Sequence, residues 1–449
     1  MNNLTVAKFG GTSVANFESM SLCANIVIGD ENIRVVAVSA QSGVTNKLVR
    51  LSQAGVEQVE RDQLLNEIRD IEYSILTDLG SPESIKVALD NLLNELKETA
   101  NKPELAQSMP LKDHIVSFGE QMSSLLFAEV LRQRQCHAIN FDIRQVLKTD
   151  SHFGKAEPQV ELIRTQAQNL ITPDLEKSVV VTQGFIGSDN QGNTTTLGRG
   201  GSDYSAALIA EAVDAQVLQI WTDVTGIYTT DPRLTDAARP IAEISFDEAA
   251  EAATFGAKIL HPATLIPAIR AGTKVFVGSS KAPEAGGTWI VNKSESRPSY
   301  RAIALRKDQV LVTVKSPKML HATGFLAKVF GILADHKISI DLITTSEISV
   351  ALTLDNPPNA TKFGGLPQEA IDELQAFCEV TIEDNLSLVA VIGNHLESGS
   401  AVGGKLFNAL EKFNLRMICQ GASPHNLCFL TPTDKANDVV AQLHSELFD

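Results

Sequence analysis

No run of 18 apolar residues occurs in this sequence, so nothing in it reads as a membrane-spanning helix. The first residues show no basic segment leading into an apolar core, and no signal peptide is expected. Basic charge is short: 38 Lys and Arg stand against 54 Asp and Glu, a formal charge of −16. Nucleic acid and anionic membrane surfaces both demand a basic face, so neither is expected as a partner. Cysteine is sparse and odd in number: Cys23, Cys136, Cys378, Cys419 and Cys428 include no Cys-x-x-Cys pair. That spacing suggests neither a disulfide framework nor a zinc site. The nine histidines show no metal-ligand spacing, and His261 reads as a loop or packing residue. No metal site built from side chains is expected. What remains is the profile of a reduced, cytoplasmic enzyme. With 43% hydrophobic and 20% charged residues the chain is ordinary for a globular protein, and its length leaves room for about three domains.

Lys8-Phe9-Gly10-Gly11-Thr12-Ser13-Val14 follows a short apolar run, Leu4–Ala7, that reads as a buried first strand. Glycine admits an anion close to the backbone, a helix start offers free amides and a favourable dipole, and Lys8 adds a full charge. A tight turn needing glycine for its own geometry is the plainer reading of a lone Gly-Gly. The stretch is not a Walker A loop, because its lysine precedes the glycines. Ile33–Val38 is a second buried run ending in a small-residue loop, Ser39–Asn46, and open α/β sheets bind ligands at such strand ends. Residues 47–105 read as helices without assigned chemistry. Val116–Glu120 reads as a loop leading into an apolar helix, Met122–Leu131, with Glu120 a dipole partner at its start. Thr194–Tyr204 sets three glycines around Arg199, whose planar fork suits a carboxylate or phosphate. Ser202 reads as the N-cap of the following helix. Strand Val217–Ile220 ends in Trp221-Thr222-Asp223, and a loop runs through Tyr228 and Asp231 to Arg233. Lys258 follows a glycine and reads equally well as a solvated helix end. Alternating strands, loops and helices over roughly the first 290 residues predict an α/β fold, a mostly parallel sheet sandwiched by helices.

The last third changes character. Val310–Val314, Phe325–Asp335, Ser339–Thr344, Ile348–Leu354, Gln368–Phe377 and Val380–Glu383 read as one β-α-β-β-α-β unit. Ser387–Ile392, Val402–Phe413, Arg416–Gln420, Asn426–Leu430 and Lys435–Leu447 form a second that lacks its last strand. Arg301–Leu305 is a spare strand upstream. The expected organisation is therefore a domain over 1–292 and a second region over 299–449. In that region the first unit (about 308–384) is inserted into the second (299–307 plus 385–449). Unsatisfied sheet edges in these units suggest a homodimer formed through them, or a dimer of dimers.

Together, Lys8–Ser13, Phe118-Gly119-Glu120, Thr196–Asp203, Trp221–Arg233 and Phe255-Gly256-Ala257-Lys258 resemble the aspartokinases (aspartate kinases), closest to their monofunctional, lysine-sensitive class. The paired units resemble ferredoxin-like ACT regulatory domains, and the resemblance spans essentially the whole chain. It implies an amino-acid-kinase fold and transfer of the ATP γ-phosphoryl group to the side-chain carboxylate of L-aspartate. The product would be 4-phospho-L-aspartate, at the first step of the aspartate-derived pathway toward diaminopimelate and lysine. A homoserine dehydrogenase activity is not expected. ATP with Mg2+ on its phosphates is implied. The acceptor carboxylate is already ionised at neutral pH, so positioning and charge neutralisation suffice. Catalytic roles fall to Lys8, Asp203 and Lys258, and the ATP site to Lys8, Gly10, Gly11, Thr222, Asp223, Tyr228, Arg233 and Lys258. The amides of Gly10 and Gly11 are expected to cradle the phosphoryl group. The aspartate site falls to Ser39, Thr45, Glu120, Arg199, Gly200, Gly201 and Ser202. Asp203 has two open roles, orienting Lys8 or binding the substrate amine.

An effector site for L-lysine is implied at Met319, Ala322, Gly324, Phe325, Leu326, Ser339, Ile340, Asp341, Thr345, Ser346 and Glu347. The free amides at that helix start suit a carboxylate, the acids and hydroxyls suit ammonium groups, and that acidity suits lysine as effector better than threonine. Asp341 and Glu347 also read as ordinary strand-end acids. Ala322 stands where the resemblance implies a serine, which removes one effector hydrogen bond. Two other readings compete: a related kinase with a different acceptor, and a non-catalytic amino-acid sensor. Intact Lys8, Glu120, Arg199, Asp203 and Lys258 argue against the second.

Overall fold

The computed structural model describes residues 3–256, 260, 262–319, 323–354, 366–397 and 400–448. Lys258, His261 and Ala322 lie outside the described residues. Contacts divide the chain into two compact units rather than three. The first holds Met1–Ile227, Pro240–Phe246 and Lys258–Ser294, and the second holds Tyr228–Arg239, Asp247–Ala257 and Glu295–Asp449.

The strands of the first unit are β1 (Thr5–Phe9), β2 (Ile33–Val38), β3 (Ala138–Phe141), β4 (Val179–Gln183), β5 (Ile186–Ser188), β6 (Thr194–Thr196), β7 (Val217–Thr222), β8 (Glu243–Ser245), β9 (Lys274–Ser279) and β10 (Gly287–Val291). Eight of them form one sheet in the order β3-β4-β2-β1-β7-β9-β10-β8, while β5 and β6 make a separate hairpin. From β3 to β9 neighbouring strands are parallel, and only the step from β9 to β10 is antiparallel. β1 is buried throughout and lies between β2 and β7. This explains its uniform apolar run, since a central parallel strand is covered on both faces. The core of this unit joins Phe9, Val36 and Val38 to Phe118, Leu126 and Phe127 of the helix Met109–Gln133.

That helix corrects the expected loop at Val116–Glu120. It starts at Ser108, whose hydroxyl accepts from the Leu111 amide, and runs unbroken through Gly119 and Glu120. Gly119 is a packing residue, not a loop residue. A Cβ there would lie 2.6 Å from the Ala40 Cβ and 3.2 Å from Leu48 Cδ1, so its absence lets the helix approach the loop after β2.

The second unit carries β11 (Ala302–Lys315), β12 (Ile340–Thr345), β13 (Ser349–Leu354), β14 (Glu379–Ile392), β15 (Ile418–Gln420) and β16 (Asn426–Pro432) in one antiparallel sheet, ordered β12-β13-β11-β14-β16-β15. Four strands expected as separate pieces are fused here into two of 14 residues each. Register shifts break the β11–β14 ladder between Arg306 and Leu311. Asp308 and Asn385, both with φ near +60°, sit at that break, as a β-bulge requires. On one side of it Leu311–Lys315 pairs with Glu379–Glu383 and with β13. On the other, Ala302–Arg306 pairs with Leu388–Ile392, and β16 lies alongside. Each half has its own core, one around Val312, Val329 and Leu352, the other around Val391, Phe429 and Leu443. Each half shows the ferredoxin-like strand order of an ACT domain.

Candidate active site

Because the central strands are parallel, their carboxyl ends share one edge, and backbone bonds continue across it. The amide of Ser39 donates to the Phe9 carbonyl (3.1 Å), that of Gly184 to Val38 (2.8 Å), that of Gly10 to Trp221 (3.1 Å) and that of Ser280 to Thr222 (2.9 Å). Loops from β1, β2, β4, β7 and β9 are thereby tied into one rim. The Gly10 amide is already spent on Trp221, so it is not the free donor expected; its place is beside the amine, where an added Cβ would lie 3.6 Å from Lys8 Nζ. Gly11 accepts from the Ser42 amide (3.1 Å), which holds the glycine loop against the loop after β2.

Lys8 Nζ pairs with Asp203 Oδ1 at 2.6 Å, the two side chains 10% and 16% exposed. Removing one member of so enclosed a pair leaves an uncompensated charge, at a cost of about 3–5 kcal/mol. Asp203 sits in the first turn of the helix Gly201–Ala212. The cap of that helix is Gly200 at φ +72°, not the expected Ser202, which lies one residue inside it. A left-handed cap is open to glycine at little cost. Arg199, beside that turn, is exposed and has no hydrogen-bond or ionic partner among the described residues.

Glu120 reaches the same rim from the helix behind it. Its Oε1 accepts from the Ala40 amide at 3.2 Å, and its Oε2 is buried with no hydrogen-bond partner among the described residues. Burial pushes this carboxyl up to about 8, against the smaller opposing pulls of the Ala40 amide and the Lys8 charge. A buried carboxyl with one oxygen unanswered suits a ligand ammonium. Ser39 follows β2, and Thr45 stands in the first turn of the helix Val44–Leu51. Thr222 ends β7 and its hydroxyl donates to Asp223 Oδ1 at 3.2 Å.

The rim thus gathers Lys8, Gly10, Gly11, Ser39, Thr45, Glu120, Ser202, Asp203, Thr222 and Asp223. Tyr228 and Arg233 belong instead to the second unit. There the Arg233 guanidinium is paired with Asp231, two residues before it. Sequence reasoning missed Asp113. Its Oδ2 accepts from the amides of Thr196 (2.8 Å) and Gly154 (2.9 Å), which fixes the strand end leading to Gly198 and Arg199. The available signal was its spacing, seven residues before Glu120 on one helix face. Among the described residues no cluster of three His, Cys, Asp or Glu could hold a metal.

In the second unit a cleft of about 360 Å³ is lined by Met319, Gly324, Phe325, Leu326, Ser346 and Glu347. Gly324, at φ +85°, caps the helix Phe325–Asp335. Asp341 is not part of this lining. Its carboxylate pairs with Arg306 of β11. Ile340 packs on the core of the first half, and Ser339 and Thr345 are exposed at the two ends of β12.

Residues 3–279 match the amino acid kinase family, and residues 312–357 and 389–447 match an ACT domain. Over 451 aligned residues, the whole of both chains, this chain is 54% identical to lysine-sensitive aspartokinase 3 of Escherichia coli (strain K12). It is 34% identical to the chloroplastic aspartokinase 3 of Arabidopsis thaliana, over 99% of this chain and 81% of that one. Its structure is similar to that of E. coli aspartokinase III in complex with aspartate and ADP, an R-state, with a TM-score of 0.90 and 53% identity over 99% of this chain and 100% of that one. The T-state of the same enzyme, with lysine and aspartate, gives a TM-score of 0.85 at the same identity and coverage. No helix among the described residues is long and apolar enough to cross a membrane.

Proposed function

We propose, from the premise that this chain belongs to the aspartokinase family, that its first unit transfers the ATP γ-phosphoryl group to the side-chain carboxylate of L-aspartate. The observation that carries this reading is the rim itself. An enclosed ammonium, Lys8, and a buried carboxyl with an unanswered oxygen, Glu120, face the ends of adjacent strands. Lys8 neutralises charge on the transferring group, and Asp203 orients it; the 2.6 Å pair supports orientation over binding of the substrate amine. Glu120 takes the α-ammonium, Arg199 the α-carboxylate, and Ser39, Thr45, Gly200, Gly201 and Ser202 complete the aspartate pocket. Thr222 and Asp223 flank the nucleotide, joined by Lys258. Mg2+ on the phosphates screens their negative charge. The acceptor is ionised without help, so no general base is assigned.

The cleft at Met319, Phe325 and Glu347 takes L-lysine as a feedback inhibitor, the helix amides at its carboxylate and Glu347 at its ε-ammonium. The pairing of Ile303 with Val391 supports a first regulatory half inserted into the second. Strands β12 and β15 meet through Thr344 and Cys419, and the exposed Ile343 and Ile418 on them support a homodimer through the regulatory unit; the protein is assigned to the cytoplasm. The deciding test is ADP release over a panel of amino-acid acceptors. Aspartate alone should support turnover, and Lys8→Ala should lower kcat roughly 100–1,000-fold, as loss of one transition-state donor does, with the aspartate KM little changed. A Lys8→Ala effect confined to KM would refute the assignment.

A further inference from the structure

Glu72, on the helix Gln58–Asp78, is wholly buried, and so is Gln41, two residues after Ser39. Gln41 Nε2 donates to Glu72 Oε2 at 2.8 Å. The remaining acceptors, the Gln41 carbonyl oxygen Oε1 and Glu72 Oε1, are buried with no hydrogen-bond partner among the described residues. With Glu72 ionised, two acceptors are shut in a dry place without a donor. A single proton on Glu72 answers both, since Oε1–H then donates to Gln41 Oε1 and closes a two-bond ring.

We propose that Glu72 is a protonated positioning residue that, through a carboxyl–carboxamide ring with Gln41, fixes the loop carrying Ser39, the Ala40 amide and Thr45. That loop is the one whose Ala40 amide holds Glu120 and whose Ser42 amide is bonded to Gly11. Desolvation raises the Glu72 carboxyl well above the ordinary range, and only the Gln41 bond opposes it. Several ionisable groups of the helices packed on Gln58–Asp78 are engaged elsewhere. On Val44–Leu51, Lys47 pairs with Glu67 and Arg50 with Glu60. On Glu83–Ala100, Asp90 accepts from Tyr73. On Met109–Gln133, Glu120 holds Ala40, Asp113 holds Gly154 and Thr196, and His114 meets Glu95. On Phe17–Gly29, the Cys23 thiol donates to the Ser13 carbonyl.

The inference rests on the reading of Ser39, Thr45 and Glu120 as the aspartate pocket. The test compares wild type, Glu72→Gln and Glu72→Leu in aspartate KM, ATP KM and kcat from pH 6 to 10. It adds the infrared carbonyl band of a protonated carboxyl in protein labelled with ¹³C-glutamate. Glu72→Gln should match wild type at pH 7 and lack the alkaline rise of aspartate KM that ionisation of Glu72 produces. The substrate's own ammonium titrates equally in both proteins and cancels in the comparison. Glu72→Leu should raise aspartate KM about tenfold, the loss of one or two hydrogen bonds, with kcat and ATP KM held. Part of the band should be present in wild type at pH 7 and missing from Glu72→Gln, while the share due to Glu120, raised to about 8 by burial, remains in both. No loss of band intensity from wild type to Glu72→Gln overturns the proton. That loss with identical alkaline profiles in wild type and Glu72→Gln overturns the positioning role. An unchanged aspartate KM in Glu120→Gln would instead bring down the pocket on which the inference rests, and leave the Glu72 share of the band untouched.

Discussion

Glu120 shows how one residue's surroundings write a pH profile. Its carboxyl sits at about 8 in the free protein, raised by burial, so below that pH it carries a proton that an incoming ammonium must expel. The kcat/KM for aspartate should rise up to tenfold per pH unit toward pH 8 and then level. Glu120→Gln should flatten this limb and lower its plateau about 10- to 100-fold, the loss of a hydrogen bond to a charged group; an unaltered acid limb would refute the assignment. The stability sign runs the other way. A carboxyl raised from about 4.3 in the unfolded chain stabilises the fold fully below that value, and the contribution is lost as pH rises through 8. Without substrate, Glu120→Gln should therefore melt higher than wild type at pH 8 in calorimetry.

Helix Met109–Gln133 is the element that sets the site's depth. Gly119→Ala would drive a Cβ into Ala40 and Leu48. Overpacking of this kind costs about 1–3 kcal/mol, read as a lower urea midpoint, and should raise aspartate KM as the Ala40–Glu120 bond stretches. A variant with wild-type midpoint and KM would show that the contact yields freely. This element also marks how far the sequence could be read. The apolar face after Met122 was legible as helix, but Gly119 looked like a breaker because its partner, Ala40, is distant along the chain. The same limit hid Asp113 and Glu72, whose meaning comes from amides and a carboxamide on other elements. Local chemistry was legible where a motif is local: the glycine and small-residue loops after β1 and β2 announced the rim. Gly200 displaced Ser202 as cap because backbone conformation, φ +72°, outranked a side-chain preference that the sequence displays. The pairing of Asp341 with Arg306 was not legible either, because the two residues lie on different strands.

At the scale of the whole molecule, the chain is a parallel-sheet catalytic unit and an antiparallel sensing unit, and the change of architecture was visible in the sequence as a change of strand pattern. The fused strands were not, since Asp308 and Asn385 fall in the gaps between the expected strand pieces and prove to be bulges within continuous strands. Removing the carboxylate of Glu347 should raise the lysine Kd about tenfold in calorimetry, as loss of a charge-assisted bond does. Aspartate KM measured without lysine should stay put. Equal lysine affinity in Glu347→Ala would move the effector site elsewhere.

Since β11 and β14 each run unbroken through both regulatory halves, those halves have no seam at which to part. A tug on the ladder at Lys315 is borne by the same two cords that end at Ala302 and Ile392, so the pair must yield together, as a woven strap does.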